Sequence, residues 1–151
     1  VGCAGGGPLG IAVGWIVERV RGDGRTVAVG GDPDLLDAGA RVGDLTVSAR
    51  PSFAAARHPR SAVGYDADAG VLWLAAVDGR QPPHSVGMSL PELAGLFEAL
   101  GAEEALNLDG GGSTALVVGG RAVNRPSDPT GERAVVNALA LVRDAAGCRV
   151  R

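Results

Sequence analysis

The feature that most constrains the fold is a short apolar strand that runs directly into three glycines. Residues 105–108 suit a strand, and residues 109–114 read Asp-Gly-Gly-Gly-Ser-Thr. Glycines permit positive φ angles and let the backbone approach a ligand without a clash from Cβ. Successive N–H groups in such a turn can bind an anion, and a carboxylate beside them is unusual for a purely structural turn. We therefore predict a site where Asp109 meets a phosphate or a developing oxyanion. The alternative is a glycine-rich β-turn between two strands.

Short apolar runs separated by turn signals predict a fold built mainly from strands. The predicted strands are residues 11–20, 26–29, 45–47, 62–65, 71–77, 105–108, 114–118, 122–123 and 134–142. The last run is nearly continuous in apolar residues, which favours a central position in a sheet. Residues 31–34 predict a turn, and residues 51–59 predict an irregular connection.

One helix has clear signals at both ends. Ser89 is the predicted N-cap, Glu92 completes a capping box, and Pro91 lies in the first turn. Apolar residues then recur with helical spacing until Gly101, which is predicted to end the helix. The expected fold class is α/β (α+β), with a mixed, largely antiparallel curved sheet and a few packed helices.

Length and composition exclude several classes of protein. The chain has 151 residues, 46% of them hydrophobic, with a formal net charge of -3. This suits one domain, and the mild acidity argues against nucleic acid as a partner. No apolar run reaches the roughly 18 residues that a transmembrane helix needs.

The two ends of the chain add few constraints. Cys3 and Cys148 lie near opposite ends, and the sequence does not show whether they pair. Two thiols without neighbouring histidines do not make a zinc site. The chain begins at Val1 rather than Met, so we expect that an upstream segment is missing, and this chain contains no signal peptide.

Several charged residues stand at predicted strand ends. Arg60 precedes a strand, where its guanidinium is suited to a phosphodiester or is simply solvated. Asp78 and Arg80 follow another strand on the same side of the extended chain, and they form a local ion pair or line a cleft. The polar segment 124–133, which contains Glu132 and Arg133, is a candidate part of a functional site. The alternative interpretation is a plain solvated loop.

Two further polar residues, Asn137 and His58, lie outside these charged groups. Asn137 lies inside an apolar run, so a buried amide there needs partners; it satisfies a nearby turn or contacts a ligand. His58 precedes Pro59 and has no partner adjacent in sequence, so an incidental loop histidine is the simpler interpretation.

Four blocks in order resemble the phosphodiester glycosidase family. They are residues 60–64 (Arg-Ser-Ala-Val-Gly), 78–80 (Asp-Gly-Arg), 107–114 (Asn-Leu-Asp-Gly-Gly-Gly-Ser-Thr) and 126–128 (Pro-Ser-Asp). The helix start at Ser89 and residues 131–133 agree further. The resemblance covers residues 57–143, with residues 1–56 a poorly matched N-terminal segment of the same domain and 144–151 a C-terminal tail. The upstream Asn-Gly-Gly-Phe-Phe-like block of the family is missing.

The resemblance implies a secreted or cell-envelope bacterial hydrolase that cleaves the sugar C1–O–P bond of substrates such as N-acetylglucosamine-1-phosphodiesters. Such chemistry normally needs two carboxyl groups. Asp109 is the first candidate for acid/base or nucleophile, and Asp78 and Glu132 compete for the second role. The implied substrate-binding residues are Arg60, Arg80, Asn107, Gly110, Gly111, Gly112, Ser113, Thr114, Arg133 and Asn137.

No cofactor is expected. Calcium or magnesium could bind the carboxylates, but no spacing dictates a metal. The expected partner is a sugar-1-phosphodiester or phosphoglycan substrate, with no nucleic acid and no transmembrane segment, and the oligomeric state is open. Two alternatives remain: a non-catalytic module that binds phosphoglycans of the cell envelope, and a truncated chain that cannot complete its core.

Overall fold

The computed structural model describes residues 29–46, 50–144 and 147–150, with the backbone alone for 142–144 and 147–150. Its helices are α1 (Pro51–Ala55) and α2 (Leu90–Ala99), and a 3₁₀ turn spans Gly111–Ser113. Its strands are β1 (Asp34–Asp37), β2 (Ala40–Arg41), β3 (Arg60–Asp66), β4 (Val71–Val77), β5 (Glu104–Asn107), β6 (Val117–Val118), β7 (Arg121–Ala122), β8 (Leu141–Asp144) and β9 (Gly147–Val150).

The main sheet has five strands in the order β2-β1-β5-β3-β4. Each neighbouring pair is antiparallel. The remaining strands form two separate hairpins, β6–β7 and β8–β9. The predicted fold class, α+β with a largely antiparallel sheet, is confirmed.

Helix α2 covers one face of the sheet and supplies much of the core. Leu93, Ala94 and Phe97 are fully buried against the sheet strands. Gly64 of β3 lies beneath the ring of Phe97, and a Cβ there would come within 2.6 Å of the ring carbon Cε1. The absence of a side chain at Gly64 therefore allows the helix to approach the sheet closely.

The predicted ends of this helix are confirmed. Ser89 Oγ accepts a hydrogen bond from the N–H of Glu92, and the Glu92 carboxylate accepts one from the N–H of Ser89. Beyond the C-terminal end, Gly101 has a φ of 78°, a conformation that favours glycine.

Strand register brings three chain segments to one end of the sheet. Arg60 at the start of β3 pairs with Val77 at the end of β4, and Ala62 pairs with Asn107 at the end of β5. The turn between β3 and β4 lies at the opposite end. The segments that follow β4 and β5 therefore leave the sheet beside the segment that enters β3.

Three local predictions were wrong, and one strand was missed. Residues 51–55 form a helix with Pro51 in its first turn rather than an irregular connection. The predicted turn 31–34 has bends at residues 32 and 33, and the missed strand β1 begins at its last residue, where pairing with β5 determines the structure. The predicted strand 45–47 is not formed at Leu45 and Thr46, and the strand predicted at 114–118 is reduced to β6.

The long central strand predicted at 134–142 is also wrong. Within the described residues, 134–140 pair with no strand, and β8 begins only at Leu141. Val136 is fully exposed to solvent, and Asn137 is exposed rather than buried. An apolar run predicts burial only where a second element covers it, and a single run does not encode that partner.

Some predictions fall outside the described residues. These are the strand at 11–20, nearly all of the strand at 26–29, and the pairing of Cys3 with Cys148. In the part of the chain that the structure describes, no helix has both the length and the apolar character needed to cross a bilayer.

Candidate functional site

Four segments meet at the sheet end where β3 begins: residues 58–61, 78–85, 107–114 and 124–133. The N–H of Leu108 donates to the carbonyl of Ser61 at 2.8 Å, which joins the first segment to the third. Asn124 Nδ2 donates to the carbonyl of Thr114 at 3.2 Å, which joins the third to the fourth. The sequence blocks at 60, 78–80, 107–114 and 126–128 are thus brought together by folding.

Residues 109–114, which we call the glycine loop, form a tight turn held by its own backbone. The N–H of Gly111 donates to the carbonyl of Pro59, and those of Ser113 and Thr114 donate to Gly110 and Gly111. These three N–H groups have protein partners, whereas among the described residues the N–H groups of Gly110 and Gly112 have none. The use of the loop as an anion nest stays a prediction. The side chain of Asp109, at the start of the loop, is exposed.

Arg80 lies against the glycine loop. A Cβ on Gly111 would come within 3.1 Å of its Nη1, so the guanidinium covers the backbone of the loop. Arg80 itself has a φ of 57°. A left-handed conformation at a non-glycine residue costs free energy, so the surrounding contacts must hold it. Arg80 therefore lies beside the glycine loop, and its role in substrate binding stays a prediction.

Arg133 approaches the same loop from a different segment. Its Nη2 donates to Ser113 Oγ at 2.7 Å, and its Nη1 lies 3.6 Å from Asp128 Oδ2. The Asp128 carboxylate occupies the space that a Cβ on Gly112 would fill. Arg133, Asp128 and Ser113 therefore form a connected polar group on the glycine loop.

Asp78, a predicted catalytic carboxyl, has protein partners for both of its oxygens. Oδ1 accepts from the N–H of Arg125 at 2.8 Å and from Asn124 Nδ2 at 3.1 Å. Oδ2 is 2.9 Å from His84 Nε2. Burial raises the pKa of Asp78, but the hydrogen bonds from His84, Arg125 and Asn124 outweigh it and hold that pKa below its ordinary value. The predicted local ion pair between Asp78 and Arg80 is not formed.

Arg60 is buried, with only 1% of its surface exposed. Its Nη2 donates to the carbonyls of Phe53 and Ala56, and its Nε donates to that of Met88, each at 3.0 Å. Its guanidinium carbon also lies 4.6 Å from the centre of the Phe53 ring. Burial, followed by the charge of Arg80, lowers the pKa of Arg60 to about 10. These contacts link β3 to α1 and to the segment before α2, so Arg60 is not a solvated surface arginine, and its role as a phosphate ligand stays a prediction.

Asn107 and Thr114 have structural partners. Asn107 Nδ2 donates to the carbonyl of Asp32 at 2.7 Å, whereas its Oδ1 is buried with no hydrogen-bond partner among the described residues. Thr114 is buried, and its Oγ1 accepts from Ser61 Oγ at 3.4 Å.

The other predicted site residues make fewer contacts. Glu132 and Asn137 are exposed, and among the described residues neither makes a side-chain hydrogen bond. No group of three His, Cys, Asp or Glu side chains in the described part of the chain could hold a metal ion.

Sequence reasoning missed three residues of this site. His84 contacts Asp78, Asp128 contacts the glycine loop, and His58 lies 3.2 Å from Arg80. Asp128 lies in the block 126–128, but the sequence alone indicates no role for its carboxylate. The partner of His58 lies 22 residues away along the chain, so no local pattern could have identified this contact. His84 is only six residues from Asp78, but no recognised motif contains it.

Comparisons with known proteins identify the family of the chain. The family model for phosphodiester glycosidases matches residues 10–142. The SPbeta prophage-derived uncharacterized protein YomE of Bacillus subtilis (strain 168) is 41% identical over 85 residues, which cover 56% of this chain and 13% of that protein.

Two solved structures resemble the fold. A hypothetical protein from Synechocystis has a TM-score of 0.54 and 38% identity over 64% of this chain and 18% of its own. The zebrafish N-acetylglucosamine-1-phosphodiester alpha-N-acetylglucosaminidase catalytic domain, auto-inhibited by its pro-peptide, has a TM-score of 0.56 and 29% identity over 66% of this chain and 35% of its own. The chain therefore spans well under half the length of these relatives, and because the family model matches most of it, the chain belongs to the phosphodiester glycosidase family.

Proposed function

We propose that this chain carries the active site of a hydrolase that cleaves the sugar C1–O–P bond of a sugar-1-phosphodiester, with N-acetylglucosamine-1-phosphodiesters as the first substrate class to test. Membership of the family supports the reaction type. The observation that carries the proposal is the approach of Arg80 and Arg133, from separate segments, to the loop that begins with Asp109.

The two arginines suit the leaving group of this reaction. A phosphate leaving group is weakly basic and needs little protonation, so fixed positive charge beside it stabilises the developing anion. Guanidinium groups remain charged across the physiological range and match the geometry of phosphate oxygens. Arg80 and Arg133 are the proposed ligands of this phosphate, whereas the guanidinium of Arg60 is bonded to backbone carbonyls.

Asp109 is the proposed carboxyl that acts at C1. Its exposed side chain is free to face the sugar, either as a nucleophile or as the base that activates water. Overall, water adds to C1, the bond from C1 to the phosphate oxygen breaks, and the products are a free sugar and a phosphomonoester. Asp128 joins Asp78 and Glu132 as a candidate second carboxyl, since it contacts the glycine loop directly.

Turnover of a simple substrate tests the proposal. Incubation with the methyl phosphodiester of N-acetylglucosamine 1-phosphate should release sugar and methyl phosphate in equal amounts. Asp109→Asn should lower kcat by at least about a hundredfold, the usual scale for a lost acid/base group. The matched control is Asp68→Asn, an exposed carboxyl in the turn at the opposite end of the sheet.

Two results would contradict the proposal. If the Asp109→Asn variant hydrolyses the phosphodiester at the wild-type rate, Asp109 is not the carboxyl that acts at C1. If the wild-type protein binds the phosphodiester in calorimetry but releases no product on long incubation, the non-catalytic phosphoglycan-binding module replaces the enzyme. The proposed location, secreted or in the cell envelope, is checked separately by fractionating cells that express the natural full-length protein.

A further inference from the structure

The imidazole of His58 is held firmly at the edge of the candidate site. The backbone of His58 exchanges two hydrogen bonds with Met88, at 3.0 and 3.1 Å. Its ring stacks on Phe53 with 5.1 Å between ring centres and 26° between planes. Gly87, with a φ of 95°, packs so closely that a Cβ there would lie 2.9 Å from the His58 nitrogen. The position of the ring is therefore fixed by three neighbouring residues.

The free edge of this ring faces Arg80. Nδ1 of His58 lies 3.2 Å from Nη2 and 3.4 Å from Nε of Arg80. Because a guanidinium has donors and no acceptor, Nδ1 must accept, which places the single ring proton of neutral His58 on Nε2. The same guanidinium covers Gly111. One acceptor on a fixed ring thus holds the arginine over the glycine loop.

The electrostatic surroundings keep His58 neutral. Burial is the main cause that lowers its pKa below the ordinary 6.5, and the charges of Arg80, beyond β4, and Arg60, in β3, lower it further. Phe53 of α1 and Met88, which contact it from the remaining sides, carry no charge. The acceptor at Nδ1 is therefore available throughout the neutral pH range.

We propose that His58 is a positioning residue: it holds the Arg80 guanidinium over the glycine loop in the orientation that receives the phosphate of the substrate. This inference rests on the proposed function for the identity of the anion. The strained backbone of Arg80 agrees with this inference. The contacts of its guanidinium with His58 and Gly111 can maintain a backbone conformation that is otherwise unfavourable. Protonation of His58 replaces the acceptor with a like charge and releases Arg80.

The first test is spectroscopic and does not require turnover. The protein has only two histidines, so the ring nitrogens of His58 can be assigned in its NMR spectra with His58→Asn as the reference. The expected result is that neutral His58 carries its proton on Nε2. The titration midpoint of His58 should move upward in Arg80→Gln, because the charge of Arg80 lowers the pKa of His58. The matched control is Arg121→Gln, which removes an exposed arginine of β7 and should leave the midpoint unchanged. A proton on Nδ1, or a midpoint indifferent to Arg80→Gln, would overturn the inference.

The second test distinguishes the effect of the Nδ1 acceptor of His58 from the effect of its aromatic ring. His58→Phe keeps an aromatic ring but removes the acceptor, and it should raise KM about tenfold with a smaller change in kcat, the scale of one charge-assisted hydrogen bond. His58→Asn restores an acceptor near the position of Nδ1 and should recover most of the affinity. Equal KM values for wild type and His58→Phe would contradict the proposal, as would equal losses in His58→Phe and His58→Asn.

The pH profile gives a readout that a merely structural role would not change. In the wild-type protein KM should be constant above pH 6.5 and rise as His58 protonates at lower pH, whereas His58→Asn should lack this rise. If the protein binds but does not hydrolyse, the Kd of the methyl phosphodiester, whose charge does not change in this pH range, replaces KM in both comparisons. Failure of the enzyme proposal is thus distinguished from failure of the role of His58.

Discussion

At the residue scale, the contacts of the glycine loop depend on glycines that leave room for charged side chains from other segments. Gly112 leaves the space that the Asp128 carboxylate occupies, and Gly111 leaves the space beneath Arg80. Both contacts come from segments distant in sequence. The loop therefore needs small residues at these positions to bring charged groups close to its backbone.

Substitution of Gly112 tests this close approach. Gly112→Ala should push the Asp128 carboxylate away and destabilise the protein by about 1–3 kcal/mol, the usual cost of overpacking a closely packed position. The measurement is the Tm, with Gly43→Ala as the control because a Cβ there meets no atom within 4 Å. Equal Tm values for the two variants would contradict the arrangement.

Sequence patterns located most of the residues at this end of the sheet but could not define their contacts. Arg60, Asp78 and Arg80 stand at strand ends, which a local pattern can identify. Whether a side chain is buried among carbonyls, as Arg60 is, or lies against the glycine loop, as Arg80 does, depends on segments far away in the chain. The contact of His58 with Arg80 also joins distant segments, so the sequence alone favours an incidental loop histidine.

At the element scale, the segment after β4 fixes the segment 124–126. Asp78 accepts from Asn124 and from the N–H of Arg125, and Gln81 Nε2 donates to the carbonyl of Arg125 at 2.9 Å and to that of Pro126 at 3.2 Å. These bonds hold the start of the segment that carries Asp128 and Arg133. The contacts of Asp78 thus suit a structural anchor, and its catalytic role stays a prediction.

Thermal unfolding as a function of pH tests this anchor. The folded-state pKa of Asp78 is below its ordinary 3.8, so its stabilising effect is fully present above that pH and is lost as pH falls through the folded-state value. Asp78→Asn should lower stability by about 1–3 kcal/mol at neutral pH, as expected for a partly buried hydrogen-bonded carboxylate. The difference in Tm between variant and wild type should shrink below pH 3.8.

Asp68→Asn serves as the control for Asp78→Asn and should leave the Tm unchanged at neutral pH. A difference in Tm between Asp78→Asn and wild type that stayed constant down to strong acid would show that the charge of Asp78 does not anchor the segment.

Elements with complete local signals were predicted well, and elements that depend on distant partners were not. The capping box and apolar spacing determined α2, and the strand–turn–strand pattern determined β3 and β4. Strand β1 depends on β5, which lies about seventy residues away along the chain. The strand predicted at 134–142 shows the converse, since residues 134–140 have no described strand to pair with.

At the scale of the whole molecule, an antiparallel sheet gathers the site at one of its ends. The entry to β3 and the exits of β4 and β5 lie side by side, and the segment 124–133 packs onto them. The family model matches residues 10–142, so it includes much of the segment 1–56, where the resemblance seen in the sequence was poor. The boundaries at 57 and 143 remain predictions.

The most direct test of the central claim is hydrolysis of the methyl phosphodiester of N-acetylglucosamine 1-phosphate in oxygen-18 water, followed by mass spectrometry of both products. Attack at C1 predicts that heavy oxygen enters the sugar and that methyl phosphate remains unlabelled. Heavy oxygen in methyl phosphate would mean that the P–O bond is broken, and it would contradict the assignment of glycosidase chemistry to Asp109 and the arginines beside it.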